Sequence, residues 1–245
     1  MPNETRLERT SAGRQRLVWQ LLADAVVSVT PPERPAAVLD CGGGSGSFAV
    51  PLACAGARVT VADISVDALA TLRRRADEAG VAERVQPVQC DVESLAEAVP
   101  AASFDLVLAH GILEAVDHVT PAFDAIAATV RPGGLLSVLV GNPVAGVLAR
   151  VLAGDVAAAL RELRGLDTDV GRPGPLAVQA LCRNAGLLIE QIHGIGVFAE
   201  LVAGSALDAP GALAALADLE AETATRAPFC DIASRVHILA RRRRG

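Results

Sequence analysis

The chain contains no lysine and no tyrosine, and among its 245 residues there are one methionine, one tryptophan and five phenylalanines. Every basic residue other than histidine is therefore an arginine. The accompanying surplus of alanine, arginine, glycine and valine reads as a GC-rich coding bias, which robs simple residue counts of functional meaning. So few aromatic rings leave little from which to build stacking platforms for splayed bases. A formal net charge of -6 excludes the broad basic face that usually carries phosphate binding, while leaving room for a local one.

No two cysteines stand in a C-x-x-C arrangement. The five, Cys41, Cys54, Cys90, Cys182 and Cys230, are odd in number and widely spaced, which indicates neither a disulfide framework nor a zinc site and makes most of them small apolar fillers. His118, His193 and His237 lack the spacing of metal ligands, so no metal is expected. The opening MPNETRLERT is charged and polar where a secretory leader would be apolar, and a cytoplasmic location is the expectation. No run spans a membrane either: the apolar stretch from Leu135 to Gly154 is broken by Gly141-Asn142-Pro143 and by Arg150.

What is present is 51% apolar residues, enough to bury one large core, so one domain over 1–245 is expected. Leu17, Leu21, Leu22, Val26 and Val27 recur at helical spacing within Arg14 to Val29, and Thr30-Pro31-Pro32 closes this N-terminal helical segment (1–33). Strand-length apolar runs follow at Ala36–Cys41, Arg58–Ala62, Val85–Gln89, Phe104–Ala109 and Leu135–Val140, with a helix after each of the first four. This is the rhythm of a parallel sheet covered on both faces. Arg131-Pro132-Gly133-Gly134 reads as a helix stop and tight turn into the fifth strand. The stretch 142–173 reads as a helical insertion, a candidate lid. Beyond it a helix runs from Pro175 to Asn184, a strand from Leu187 to His193, a helix from Pro210 to Thr225 and a strand from Ser234 to Ala240. Arg241 to Arg244 reads as a solvated tail.

The strongest motif is Val38-Leu39-Asp40-Cys41-Gly42-Gly43-Gly44-Ser45-Gly46, an apolar strand running into a D-x-G-x-G-x-G turn. Glycines there let the backbone turn sharply and approach a ligand, and a following helix points its N-terminal amides at it. The dinucleotide fingerprint G-x-G-x-x-G is the competing reading, but Ser47 stands where its third glycine belongs, and Gly46, one residue earlier, gives the turn a spacing that resembles S-adenosylmethionine-binding loops. Asp63 at the tip of the second strand can accept both ribose hydroxyls, and Ile64 beside it joins the candidate cofactor site. After the third strand, Asp91 or the backbone around Val92 can meet the adenine amino group, although an aspartate there also caps the following helix. His110 ends the fourth strand at the same edge, either lining the cofactor or simply satisfied by a hydrogen bond. Glu114 and Asp117 read as solvent-facing on a short helix.

Taken in order, D-x-G-x-G-x-G, Asp63, Cys90-Asp91, Phe104-Asp105 and Arg131-Pro132-Gly133-Gly134 resemble the class I S-adenosylmethionine-dependent methyltransferases across residues 34 to 141. The resemblance implies a Rossmann-like, mostly parallel seven-stranded sheet with an antiparallel last strand. A closer resemblance covers nearly the whole chain. Through Arg14 and Trp19, the glycine loop, His110 with Leu113-Glu114, Asn142, Gly154, Val197-Phe198, Leu219-Glu220, and Pro228-Phe229 through His237 to Arg241, it is similar to the tRNA 5-carboxymethoxyuridine methyltransferases, which esterify a carboxylate on the wobble uridine. That resemblance implies Arg14 on the cofactor carboxylate, Gly42 and Gly43 on its methionine part, Asp63 on the ribose, Val92 with Glu93 at the adenine edge and His110 beside the sulfonium. The chain departs from that family at Gly196, where the family has an arginine, and in the insertion, where a lysine-rich run is replaced by Arg161, Arg164 and Arg172.

Three functional readings follow. In the first, an anionic acceptor such as the wobble carboxylate of tRNA is held by an arginine, with Arg235 on the last strand or an arginine of the insertion as clamp. A carboxylate acceptor, with a reference pKa of about 4, is already ionised and needs no general base. The second is a small-molecule O- or N-methyltransferase whose insertion covers a hydrophobic acceptor. The third is a non-catalytic S-adenosylmethionine-binding module. Oligomeric state is left open by the sequence.

Overall fold

A computed structural model describes the backbone of residues 2–166, 173–202 and 204–244, and side chains from Arg16 onward within those ranges. In chain order the elements are α1 (Pro2–Val29), β1 (Ala37–Cys41), α2 (Ala49–Cys54), β2 (Arg58–Asp63), α3 (Val66–Glu78), β3 (Val85–Gln89), α4 (Leu95–Ala98) and β4 (Phe104–His110). Then follow α5 (Val119–Thr129), β5 (Val130–Gly141), α6 (Pro143–Leu152), α7 (Val156–Gly165), α8 (Pro175–Asn184), β6 (Leu187–Ile195), α9 (Ala212–Thr223) and β7 (Arg235–Arg242). The seven strands form one sheet in the order β3-β2-β1-β4-β5-β7-β6. The expected Rossmann-like α/β architecture is the one observed, helical insertion after the fifth strand included.

Strands β1 to β5 pair in parallel, with Val38 opposite both Val59 and Leu106. β7 runs against its neighbours. At its start, the Asn142 N–H donates to the Ser234 carbonyl at 3.0 Å and the Ser234 N–H to the Gly196 carbonyl at 3.1 Å. At its far end, Arg242 reaches the carbonyls of Ala128 and Val130 and Arg241 reaches Glu190, residues near the beginnings of β5 and β6. Strand order reverses between β1 and β4, and in an open α/β sheet the ends of the two strands at that reversal define the ligand-binding crevice.

By its internal contacts the chain falls into two compact units, one of residues 24–139, 176–191 and 238–245, the other of 1–23, 140–175 and 192–237. In the first, Leu39, Leu106, Leu108, Phe123, Ile126, Leu135 and Leu136 are completely buried, and each such side chain contributes roughly 1.5–3 kcal/mol of hydrophobic stabilisation. A buried carboxylate sits at the foot of this sheet. Asp105 accepts from Arg34 at 2.6 and 3.0 Å, from the Ala37 N–H at 2.7 Å and from Arg131 Nε. Burial alone would push its pKa up, but these hydrogen bonds outweigh that and hold it below the ordinary carboxylate value. In the second unit, Glu220 of α9 is buried and accepts three successive backbone N–H groups, from Val197, Phe198 and Ala199, at 2.7–2.8 Å. Asn142 caps α6 through Val144 and donates to the carbonyls of Asp231 and Ala233.

Two local expectations are corrected. Residues 131–134 are not a turn ahead of β5 but part of it, carried through an irregularity opposite Phe104–Leu106. Gly134 allows this, since a Cβ there would stand 2.9–3.0 Å from the carbonyls of Asp105, Phe104 and Arg131. Arg241 and Arg242 are not solvated tail either: they belong to β7, and Arg241 donates to Glu190 at 2.5 and 3.0 Å and to the Gly133 carbonyl at 2.8 Å. The guanidinium groups pair with carbonyls of β5 and a carboxylate of β6, the strands on either side of β7.

Candidate functional site

β1 is apolar and buried because both faces of a parallel sheet are covered, and it ends by delivering Asp40, 2% exposed, beneath the glycine turn. The turn leaves the sheet only after one more ladder bond, from the Gly42 N–H to the Ala62 carbonyl at 2.7 Å. Gly42 has φ +68°, and a Cβ there would come 2.7 Å from Ile112 Cδ1. Gly43 is excluded from bearing a side chain by contact alone: its Cβ would lie 2.5 Å from Cγ and Oδ2 of Asp40 and 2.9 Å from Val61. Only glycine lets the main chain pass here, so backbone is what the turn presents to a ligand.

Asp40 Oδ2 is buried and has no hydrogen-bond partner among the described residues. Burial, with the nearby charge of Asp63 adding to it, pushes the Asp40 pKa up to about 7. An orphaned buried carboxylate oxygen costs free energy unless something else supplies a donor or a cation. Asp63, at the end of β2, is tied into the turn: Oδ2 accepts the Gly44 N–H at 2.8 Å and Oδ1 accepts the Ser65 N–H at 2.8 Å. Each carboxylate oxygen can accept more than one bond, which leaves capacity for a diol. Ile64, the next residue, is 66% exposed. An isoleucine so exposed beside a glycine turn and an aspartate offers an apolar face for a flat ring.

Asp91 does cap the short helix after β3, its Oδ1 accepting the Glu93 N–H at 2.9 Å, while Val92 is buried. The Cys90 N–H donates to the Asp63 carbonyl at 3.2 Å, so the loops after β2 and β3 are joined. His110 ends β4 with Nε2 2.8 Å from Ser137 Oγ and its ring edge-on to Phe48 at 4.9 Å between centroids. Glu114 is half-buried rather than facing solvent, with Oε2 directed toward Gly111, whereas Asp117 is exposed. Asp40, Gly42, Gly43, Gly44, Asp63, Ile64, Asp91, Val92 and His110 thus all belong to one compact unit, at the carboxyl ends of β1 to β4. Arg235 is exposed at the first residue of β7 and belongs to the other unit. The side chain of Arg14, and Arg172, lie outside the described residues.

Sequence reasoning missed Arg75, which donates to the Ser45 carbonyl at 3.0 Å, as well as Ser137 and the backbone grip of Glu220. Arg75 and Ser137 carried no motif, and the resemblance that included Glu220 gave it no role. Their roles depend on pairings between elements far apart in sequence.

An unpartnered buried carboxylate under a side-chain-free turn, an aspartate with spare acceptor capacity and an exposed isoleucine suit a cationic, ribose-bearing, adenine-containing cofactor. The protein is an S-adenosylmethionine-dependent methyltransferase, and S-adenosylmethionine is its cofactor. Residues 39–138 match the family model described as "Methyltransferase domain". The chain is 28% identical over 234 residues to the tRNA 5-carboxymethoxyuridine methyltransferase of Escherichia coli (strain K12), covering 94% of this chain and 88% of that one. It is 38% identical over 164 residues to a ubiquinone biosynthesis O-methyltransferase of Xanthomonas axonopodis pv. citri, covering 65% of this chain and 66% of the relative. Among solved structures it is similar in fold to magnesium protoporphyrin IX methyltransferase from Synechocystis PCC 6803 with bound SAH, with a TM-score of 0.62, 15% identity, and coverage of 96% and 86%.

Proposed function

We propose that this methyltransferase transfers its methyl group to a carboxylate on a modified wobble uridine of tRNA, forming an ester. The observation that carries this reading is the extent of the similarity: it runs through 94% of the chain to an enzyme of that specificity, well past the cofactor-binding half. S-adenosylmethionine, when bound, supplies the activated methyl group. The chain's residues hold and shield. Asp63 accepts the ribose hydroxyls, Gly42, Gly43 and Gly44 bring backbone against the methionine part, Ile64 and the Val92 loop flank the adenine, and His110 forms the wall beside the sulfonium. Arg14 takes the cofactor carboxylate. An ionised acceptor needs no base, so positioning and exclusion of water are the protein's contribution. Arg235 is the acceptor clamp in this reading, and its guanidinium is suited to bidentate grip of a carboxylate.

A second reading is favoured by the higher identity, 38%, to the ubiquinone O-methyltransferase and by the acidic balance of the chain. Here the acceptor is a small molecule, and the exposed apolar side chains of the insertion, Val144, Leu148 and Leu152 of α6 and Leu160 and Leu163 of α7, meet its hydrophobic part.

The two separate on one experiment with methyl-labelled S-adenosylmethionine, total tRNA from a strain lacking the endogenous enzyme, and a small-molecule extract. Nuclease-sensitive, base-labile label in tRNA supports the ester reading. Label confined to the extract overturns it, and Arg235→Ala distinguishes the clamp: a raised acceptor KM or lowered kcat with cofactor affinity unchanged is the expected result.

A further inference from the structure

The glycine turn is held from outside by both ends of α3. At its N-terminal end, Asp63 Oδ1 accepts the Ser65 N–H and Oδ2 accepts the Gly44 N–H, each at 2.8 Å, while Ser65 Oγ accepts the Ala68 N–H to cap the helix. Midway along it, Leu72 packs beneath Gly46 so closely that a Cβ on that glycine would overlap it. Three residues further along, Arg75 Nη1 donates to the Ser45 carbonyl at 3.0 Å and lies 3.3 Å from Ser45 Oγ. Residues 72 and 75 lie on one helix face, so the same side of α3 supports two successive turn residues. Arg75 is half-buried, and a charged donor to a carbonyl is among the stronger hydrogen bonds.

We infer that Arg75 is a positioning residue for the cofactor: it fixes the Ser45 peptide, and through it the orientation of the turn's backbone groups, in the shape that receives S-adenosylmethionine before the cofactor arrives. The turn is otherwise made of residues with wide backbone freedom, and every rotation frozen beforehand is one that binding need not freeze. Arg75 touches no reacting atom; it acts through Ser45. This inference rests on the cofactor assignment and is independent of the acceptor.

The test is calorimetric titration of S-adenosylhomocysteine into the full-length protein and its Arg75→Ala variant, combined with hydrogen exchange of the free proteins. The variant is expected to bind about tenfold more weakly, with faster exchange confined to the amides of residues 44–47 and a return of protection on saturation. Arg75→Lys, which keeps a cationic donor, is expected to recover part of the affinity. Should Arg75→Ala fail to fold, Arg75→Gln carries the same comparison with a neutral donor. Affinity within twofold of the parent, or loosened exchange spread over the whole unit, overturns the inference.

Discussion

Asp63 Oδ2 accepts the backbone N–H of Gly44 across 2.8 Å, so the aspartate that ends β2 also shapes the turn that follows β1. The one carboxylate fixes the turn and, in the proposed reading, also accepts the ribose hydroxyls. Asp63→Asn turns one acceptor oxygen into a donor facing an N–H or a hydroxyl. Its expected effect is a 10- to 100-fold rise in the Kd for S-adenosylhomocysteine by calorimetry, consistent with loss of charged hydrogen bonds worth about 1.5–3 kcal/mol.

Gly43→Ala places a methyl group 2.5 Å from the Asp40 carboxyl. Overpacking of this kind costs about 1–3 kcal/mol, and relief requires the turn to lift away from β1. The variant should show both a lower Tm and weakened cofactor binding, whereas Gly80→Ala, at a position with open space and φ +68°, should lower Tm modestly and leave cofactor binding intact.

Asp40 gives the protein a pH dependence of known sign. Its pKa is near the ordinary 3.8 unfolded and about 7 folded, so between these values the folded state holds a proton that the unfolded state has lost. This contribution to stability is complete below about pH 4 and is lost as pH rises to about 7, on the order of 4 kcal/mol in all. Asp40→Asn should therefore flatten the fall in ligand-free stability over that window, measured as urea midpoints at pH 5 and pH 8. A cationic ligand favours the ionised carboxylate, and cofactor affinity in the parent should rise through the same range.

Asp105 works in the opposite direction. Held below its usual pKa by Arg34, Ala37 and Arg131, it contributes stability that is present above about pH 4 and lost on acidification through its lowered folded value. Asp105→Ala removes a buried acceptor from the Ala37 N–H and from two guanidinium groups that water still reaches, and a loss of about 1.5–3 kcal/mol is expected in urea unfolding at neutral pH. Cofactor binding by the folded fraction should be unaffected, because this cluster lies at the opposite end of the strands.

Much of this was legible in the chain itself. Val38 and Leu39 running into glycines, and Asp63 after a second apolar run, place a turn and a carboxylate at one sheet edge by the arithmetic of parallel strands alone. Asp91 was readable as a cap because capping is local. Less legible were features that depend on distant partners. Nothing near Arg131-Pro132-Gly133-Gly134 tells that Gly134 lies against the carbonyls of β4, so the segment read as a turn where it is an irregular piece of strand. Nothing near Arg241 and Arg242 points to Glu190, Gly133 and Val130, so they read as tail. Arg75 carried no motif and Glu220 stood out only within the resemblance; tertiary pairing is what shows the backbone groups they hold.

The placement of those last arginines bears on how the protein is made. The unit that contains the glycine turn is assembled from residues 24–139, 176–191 and 238–245, so its final strand segment is synthesised after every other part of it. Until Arg241 and Arg242 emerge from the ribosome, the carbonyls of Gly133 and Val130 in β5 and the carboxylate of Glu190 in β6 lack the guanidinium partners that β7 brings between them. Domains usually fold as units during synthesis; here the unit that holds the glycine turn is complete only with the arginine-rich end of β7, and a nascent chain stalled before it would carry an exposed strand edge open to pairing with a neighbour.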